Sequence, residues 1–182
     1  MESRIREMII GAGATECGEA QTADIEFLQE MRNYCEGNAC RQYDTNWACP
    51  PAAGTLEECR NRALGYERFA LFSQKFGLED SFDFDGIGEA LKAFKETAKR
   101  VGAAARLSLK RFQVLSNEGC GRCRECTYPD APCRFPDELF HSIEGYGINV
   151  SSVAKQVGVS YNNGKGTVTF FGALLYSPSD FA

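Results

Sequence analysis

The order Cys120-Gly-Arg-Cys123-Arg-Glu-Cys126-Thr-Tyr-Pro-Asp-Ala-Pro-Cys133-Arg-Phe-Pro136 constrains this chain more than any other stretch of it. Two successive two-residue gaps bend a chain around one centre, and thiolates are the ligands that soft iron in a sulfide cluster selects. Gly119 and Gly121 leave the backbone free to approach such a centre. Pro129 and Pro132 stiffen the six-residue gap before Cys133.

The opening C-x2-C-x2-C matches the bacterial ferredoxin run, which has a shorter last gap. The expected cofactor is an iron–sulfur cluster of the 4Fe–4S type on Cys120, Cys123, Cys126 and Cys133. Zinc is the alternative, yet structural zinc is commonly held by two separated C-x2-C pairs, and three cysteines in tight series fit that scheme poorly. Lys110, Arg111, Arg122, Arg124 and Arg134 flank the island. Beside a negatively charged cluster Arg122, Arg124 and Arg134 would stabilise the reduced form. Otherwise they are solvated surface charge.

The other island, which comes first in the chain and makes the Cys120–Cys133 run the second, reads Cys35-Glu-Gly-Asn-Ala-Cys40-Arg-Gln-Tyr-Asp-Thr-Asn-Trp47-Ala-Cys49-Pro50-Pro51. Three thiols do not complete a four-thiolate site, so the fourth ligand is Cys17, Cys59, His141, a carboxylate or a small molecule. An open position on such a centre would make an enzyme conceivable, because it admits substrate to a Lewis acid. In the competing reading Cys35 and Cys40 are loop thiols packed beneath Trp47, and Pro50 and Pro51 stop the chain from re-entering a helix. Cys59 sits in a helical stretch and reads as a small core residue. Cys17 stays open.

Nine cysteines in 182 residues do not suggest a disulfide scaffold, since those chains are shorter, begin with a signal peptide and carry even counts. The stretch before Gly11 has too few consecutive apolar residues for a secretory h-region, and nowhere do about 18 apolar residues run uninterrupted. The expectation is a cytoplasmic protein with no membrane partner. A formal charge of −5 argues against nucleic acid, whose phosphates demand a basic face.

With no repeat and no low-complexity linker, residues 1–182 read as a single cysteine-rich domain. Ile5 to Ile10 suggests a short strand, and Asp24 to Tyr34 a helix. Thr55 caps a helix over Leu56 to Leu64, and Tyr66 to Phe76 is a strand. Gly86 to Ala105 is the clearest helix. Ile87, Leu91, Phe94, Ala98 and Val101 share one face, and Glu89, Lys92, Lys95, Glu96 and Lys99 decorate the other. Arg111 to Ser116 is a strand, Asp137 to Glu144 and Ser151 to Val157 are helical with Ser151 as a cap, and Thr167 to Tyr176 is a strand after the turn Asn162-Asn163-Gly164. Alternation of this kind predicts an α/β or α+β fold, with a mixed, mainly crossover-connected sheet flanked by helices.

Other candidate sites lose ground on their spacing. Gly11-Ala-Gly13 lacks the third glycine of a dinucleotide loop and reads as a turn. His141, the only histidine, has no nucleophile at elbow spacing and reads as packed or surface. Asp80, Asp83 and Asp85 lack the remaining positions of a calcium loop. The stretch Ser142 to Val150 either leads from the cysteine loop to the last helix or places Glu144 and Tyr146 beside the cluster.

Taken together, the loop ending Trp47-Ala-Cys49-Pro50-Pro51, the run Cys120-x2-Cys123-x2-Cys126-x6-Cys133-Arg134-x-Pro136 and the segment Ser142-Ile143-Glu144-Gly145-Tyr146-Gly147-Ile148-Asn149-Val150 resemble the family of predicted cysteine-rich metal-binding proteins, domain of unknown function 2284. The resemblance implies seven metal-associated cysteines: Cys35, Cys40, Cys49, Cys120, Cys123, Cys126 and Cys133. In this sequence four residues, where the family pattern has two, separate Cys35 from Cys40. No reaction follows from the resemblance. The expectation is one or two iron–sulfur clusters and electron transfer to a redox partner protein. A cluster enzyme built on Cys35, Cys40 and Cys49 and a structural zinc protein are the alternatives.

Overall fold

A computed structural model describes residues 2–182. Its elements in chain order are α1 (Glu2–Gly11), β1 (Glu16–Gln21), α2 (Gln29–Glu36), α3 (Leu56–Leu64), β2 (Arg68–Gly77), α4 (Phe84–Ser108), β3 (Phe112–Ser116), β4 (His141–Ser142), α5 (Val150–Val157) and β5 (Thr167–Tyr176). Local chemistry sets several of the helix starts. Thr55 and Glu58 exchange side-chain-to-backbone bonds in a capping box at α3, and the Asp83 side chain accepts the Gly86 N–H at 2.8 Å at α4. At α5 the cap is Asn149, not Ser151.

The five strands form one mixed sheet in the order β1-β2-β5-β3-β4. β1 with β2, β2 with β5 and β5 with β3 pair antiparallel, and β3 with β4 pairs parallel. Since β2 and β3 both run against β5, they are parallel to each other, and α4 makes the crossover between them. Side-chain alternation along β2 sends Phe69 and Leu71 to one face and Ala70 and Phe72 to the other. The first face packs on Cys59 and Ala63 of α3 and on Val153 and Ala154 of α5. The second packs on Ile5 and Ile9 of α1 and on Phe94, Ala98 and Val101 of α4. The mixed sheet flanked by helices is therefore as expected.

Three further local expectations change. Ile5 to Ile10 belongs to α1, where Ile5 and Ile9, four apart, are both fully buried on one helical stripe. The helix expected from Asp24 starts only at Gln29, because Phe27 bridges Ile148 in extended form. The stretch from Asp137 to Glu144 is not an α-helix: single 3-10 turns at Pro136–Glu138 and Glu144–Tyr146 flank the extended pair His141–Ser142. The Ser142 N–H bonds the Ala48 carbonyl at 3.1 Å, and His141 and Ser142 pair with Leu115 and Ser116, which holds the chain extended.

Cys35 sits in the last turn of α2, and the other six island cysteines lie in connections outside the sheet. Residues 37–55 join α2 to α3, and residues 117–140 join β3 to β4. Arg32 of α2, 9% exposed, ties the first connection down by donating to the carbonyls of Gly145 at 2.6 Å and Gly54 at 2.8 Å. Among the described residues no helix is long and apolar enough to cross a membrane.

Candidate metal centre

Leaving β3, the chain turns through Gly119 and Gly121, whose φ values of 53° and 65° favour glycine. Gly119 has a second constraint, because a Cβ there would stand 2.5 Å from Gln42 Oε1. The six-residue gap then folds on itself. The Ala131 N–H bonds the Thr127 carbonyl and the Thr127 hydroxyl bonds the Pro132 carbonyl, both at 2.9 Å. That turn brings Cys133 back, so that Cys120, Cys123, Cys126 and Cys133 line the same cavity of about 220 Å³.

Cations and an N–H donor surround it. Arg122, Arg124 and Arg134 line the cavity with the four thiols. Arg122 lies over the Phe135 ring at 4.3 Å and pairs with Glu138 at 2.8 Å. Its Nε is buried with no partner among the described residues, a donor that an anionic occupant suits. The Phe135 N–H donates to Cys133 Sγ at 3.4 Å, the kind of bond that stabilises a metal-bound thiolate. A soft, negatively charged metal group therefore fits the donor set.

The first island makes a second cavity, of about 250 Å³. Cys35, Cys40 and Cys49 line it together with Glu118 and Glu144, beside Met31, Tyr34 and Pro50. Burial raises the Cys49 thiol pKa, against the Gly119 N–H that donates to its Sγ at 3.3 Å. Cys35 is pushed up to about 11, first by burial and then by Glu144. Both thiols hold their protons near neutral pH, so a metal that takes them as thiolates must displace protons. Burial also pushes Glu144 up to about 7.

Of the fourth ligands considered from the sequence, only a carboxylate lies on this wall. Cys17 is buried under α1 and α4 with its pKa pushed up to about 12 by burial, and Cys59 is in the opposite core with Arg62 Nη2 at 3.2 Å from its sulfur. His141 lines a different cavity, with Arg106 and Arg111. Trp47 does not cover Cys35 and Cys40. Its indole lines the second-island cavity and donates to the Ala131 carbonyl at 3.1 Å. Glu144 is on the cavity wall, while Tyr146 is a fully buried core residue whose hydroxyl meets Gln113.

The two loops interlock although far apart in sequence. Gln42 lines both cavities, Trp47 meets Tyr128 edge-on at 5.0 Å, and the Tyr128 hydroxyl donates to Asp44 at 2.5 Å. All seven island thiols are free. Among the described residues no three His, Cys, Asp or Glu side chains are already drawn around a single metal-sized point. The thiols line shared cavities rather than a closed cage.

His141 offers a test that is independent of metal. Burial, then Arg62, pulls its pKa from 6.5 down to about 4. At this site the folded chain therefore binds fewer protons than the unfolded chain across that window, and the His141 contribution to stability falls as pH drops from 6.5 toward 4. Glu144, raised to about 7, acts in the opposite direction over much of this window, so the readout is a difference: in urea denaturation at a series of pH values, the stability of the parent relative to His141→Gln should fall as pH drops from 6.5 toward 4. A difference that does not change with pH would show that His141 makes no such contribution.

A family model described as a predicted metal-binding protein (DUF2284) matches residues 19–176, a span that holds both islands and leaves out Cys17. No curated protein and no solved structure matches the chain.

Proposed function

Because this chain belongs to the DUF2284 family of predicted metal-binding proteins, we propose that it holds an iron–sulfur cluster on Cys120, Cys123, Cys126 and Cys133 and serves electron transfer to a redox partner protein in the cytoplasm. One observation carries this reading. Four thiols from a C-x2-C-x2-C-x6-C loop share a cavity wall with three arginines, which is a donor set of the right softness inside a surround of the right charge.

A bound cluster supplies a centre that takes up and gives back single electrons. The chain's own residues do the rest. Arg122, Arg124 and Arg134 offset the negative charge of a thiolate-ligated cluster, and the Phe135 N–H withdraws density from the Cys133 sulfur, both of which favour the reduced state. The folded 127–132 turn fixes the reach of the fourth thiol.

A second reading rests on the other cavity. Three thiols with Glu144 at their side, facing Met31 and Tyr34, suit a metal centre with one exchangeable position, and hence an enzyme. The two readings separate by ligand count. Protein purified without exposure to air should contain iron and acid-labile sulfide in near-equal amounts. A colourless protein with stoichiometric zinc would instead favour a structural metal site whose removal unfolds the loops.

A further inference from the structure

Lys95 lies on the face of α4 that its sequence pattern marks as solvated, yet its ammonium turns inward to the segment between the two islands. It donates to the carbonyl of Gly119 at 2.6 Å and also to those of Asn117 and Glu118. Lys99, one turn further along the same face, pairs instead with Glu96 at 2.6 Å. Gly119 joins the islands in two ways. Its N–H donates to Cys49 Sγ at 3.3 Å, and its own carbonyl carbon is bonded to the nitrogen of Cys120. The Lys95 ammonium is thus within one residue of a thiol from each island.

We propose that Lys95 is a positioning residue shared by the two cysteine islands, holding the Asn117–Gly119 segment in place and supplying the positive charge that favours electron uptake at the metal centre beside it. The proposal rests on the iron–sulfur reading above. Its physical basis is that a partly desolvated cation near a thiolate-ligated centre stabilises added negative charge far more than one in bulk water. Burial is the main influence on this ammonium, pulling its pKa down to about 8, while Glu144, Cys120 and Cys49 act in the opposite direction. Three carbonyls at once fix the side chain where a surface lysine would stay mobile.

The test uses full-length protein reconstituted anaerobically with ferrous iron and sulfide, and an EPR-monitored redox titration. Lys95→Met should move the midpoint potential to more negative values, with a roughly tenfold fall in the ratio of reduced to oxidised protein at a fixed applied potential. Lys95→Gln keeps an N–H donor but no charge and should shift the same way, which guards against a folding defect in the Met variant. Lys95→Arg should stay near the parent. Parent-like potentials in both neutral variants at full iron content would overturn the proposal while leaving the metal site standing. Loss of iron in both neutral variants, with an unmoved potential for the remainder, would show a purely structural lysine and also overturn it. If the parent itself takes up no iron, the iron–sulfur reading falls first and this proposal with it.

Discussion

Cys123→Ser should lose most of the iron held by the second island while the fold stays intact. A serine hydroxyl is a harder donor that keeps its proton near neutral pH, so the soft metal loses one of four thiolates at a site with no spare sulfur on its wall. Loss of an outer partner alone costs about 10- to 100-fold in metal affinity, and loss of a direct ligand should cost at least as much. Cys123 is only partly buried on a loop outside both cores, so far-UV circular dichroism should be preserved. Cys17→Ser is the control. Its sulfur lies in the core beneath α1 and α4, and its removal should leave iron content unchanged. Equal iron in the parent and in Cys123→Ser would remove Cys123 from the ligand set.

Phe94→Ala should destabilise the protein by about 3–5 kcal/mol, the usual cost of emptying a buried phenylalanine site. Phe94 is fully buried, and its ring centroid is 5.9 Å from those of Phe72 on β2 and Phe170 on β5. Alanine would leave a cavity between α4 and the sheet that the three rings now fill. The next residue along α4 is Lys95, so the seat of this helix also places the ammonium that holds the Asn117–Gly119 segment. Urea denaturation gives the measurement. A loss below about 1 kcal/mol would mean that the helix does not depend on this contact.

How much of this was legible in the sequence depended on whether local pattern or long-range contact decided the outcome. The face of α4 that carries Phe94, Ala98 and Val101 packs on the sheet as its spacing predicted, since a long amphipathic stripe has few other ways to bury itself. Thr55 marked the start of α3, and the structure adds Glu58 to complete a capping box there. In α1 the helical spacing of Ile5 and Ile9 outweighs the short apolar run that suggested a strand.

Other features had no local signature. Lys95 looks like its neighbours Lys92 and Lys99, and only the fold brings the 117–119 carbonyls to it. Arg32 was likewise unremarked in the sequence. Its burial depends on Gly54 and Gly145, residues from two distant segments. The placement of Glu144 follows from the bond between Ser142 and Ala48 that draws the 142–146 stretch against the first island, a contact between residues 94 apart. The cysteine spacing announced a shared centre for the second island, whereas the interlock through Gln42, Trp47 and Tyr128 needed coordinates.

The central claim is that the thiols of Cys120, Cys123, Cys126 and Cys133 enclose an iron–sulfur cluster. Low-temperature EPR of dithionite-reduced protein, prepared throughout without air, tests it most directly. The account predicts a fast-relaxing signal of a reduced cluster that disappears in Cys123→Ser. An EPR-silent reduced protein that carries stoichiometric zinc and no sulfide would contradict it.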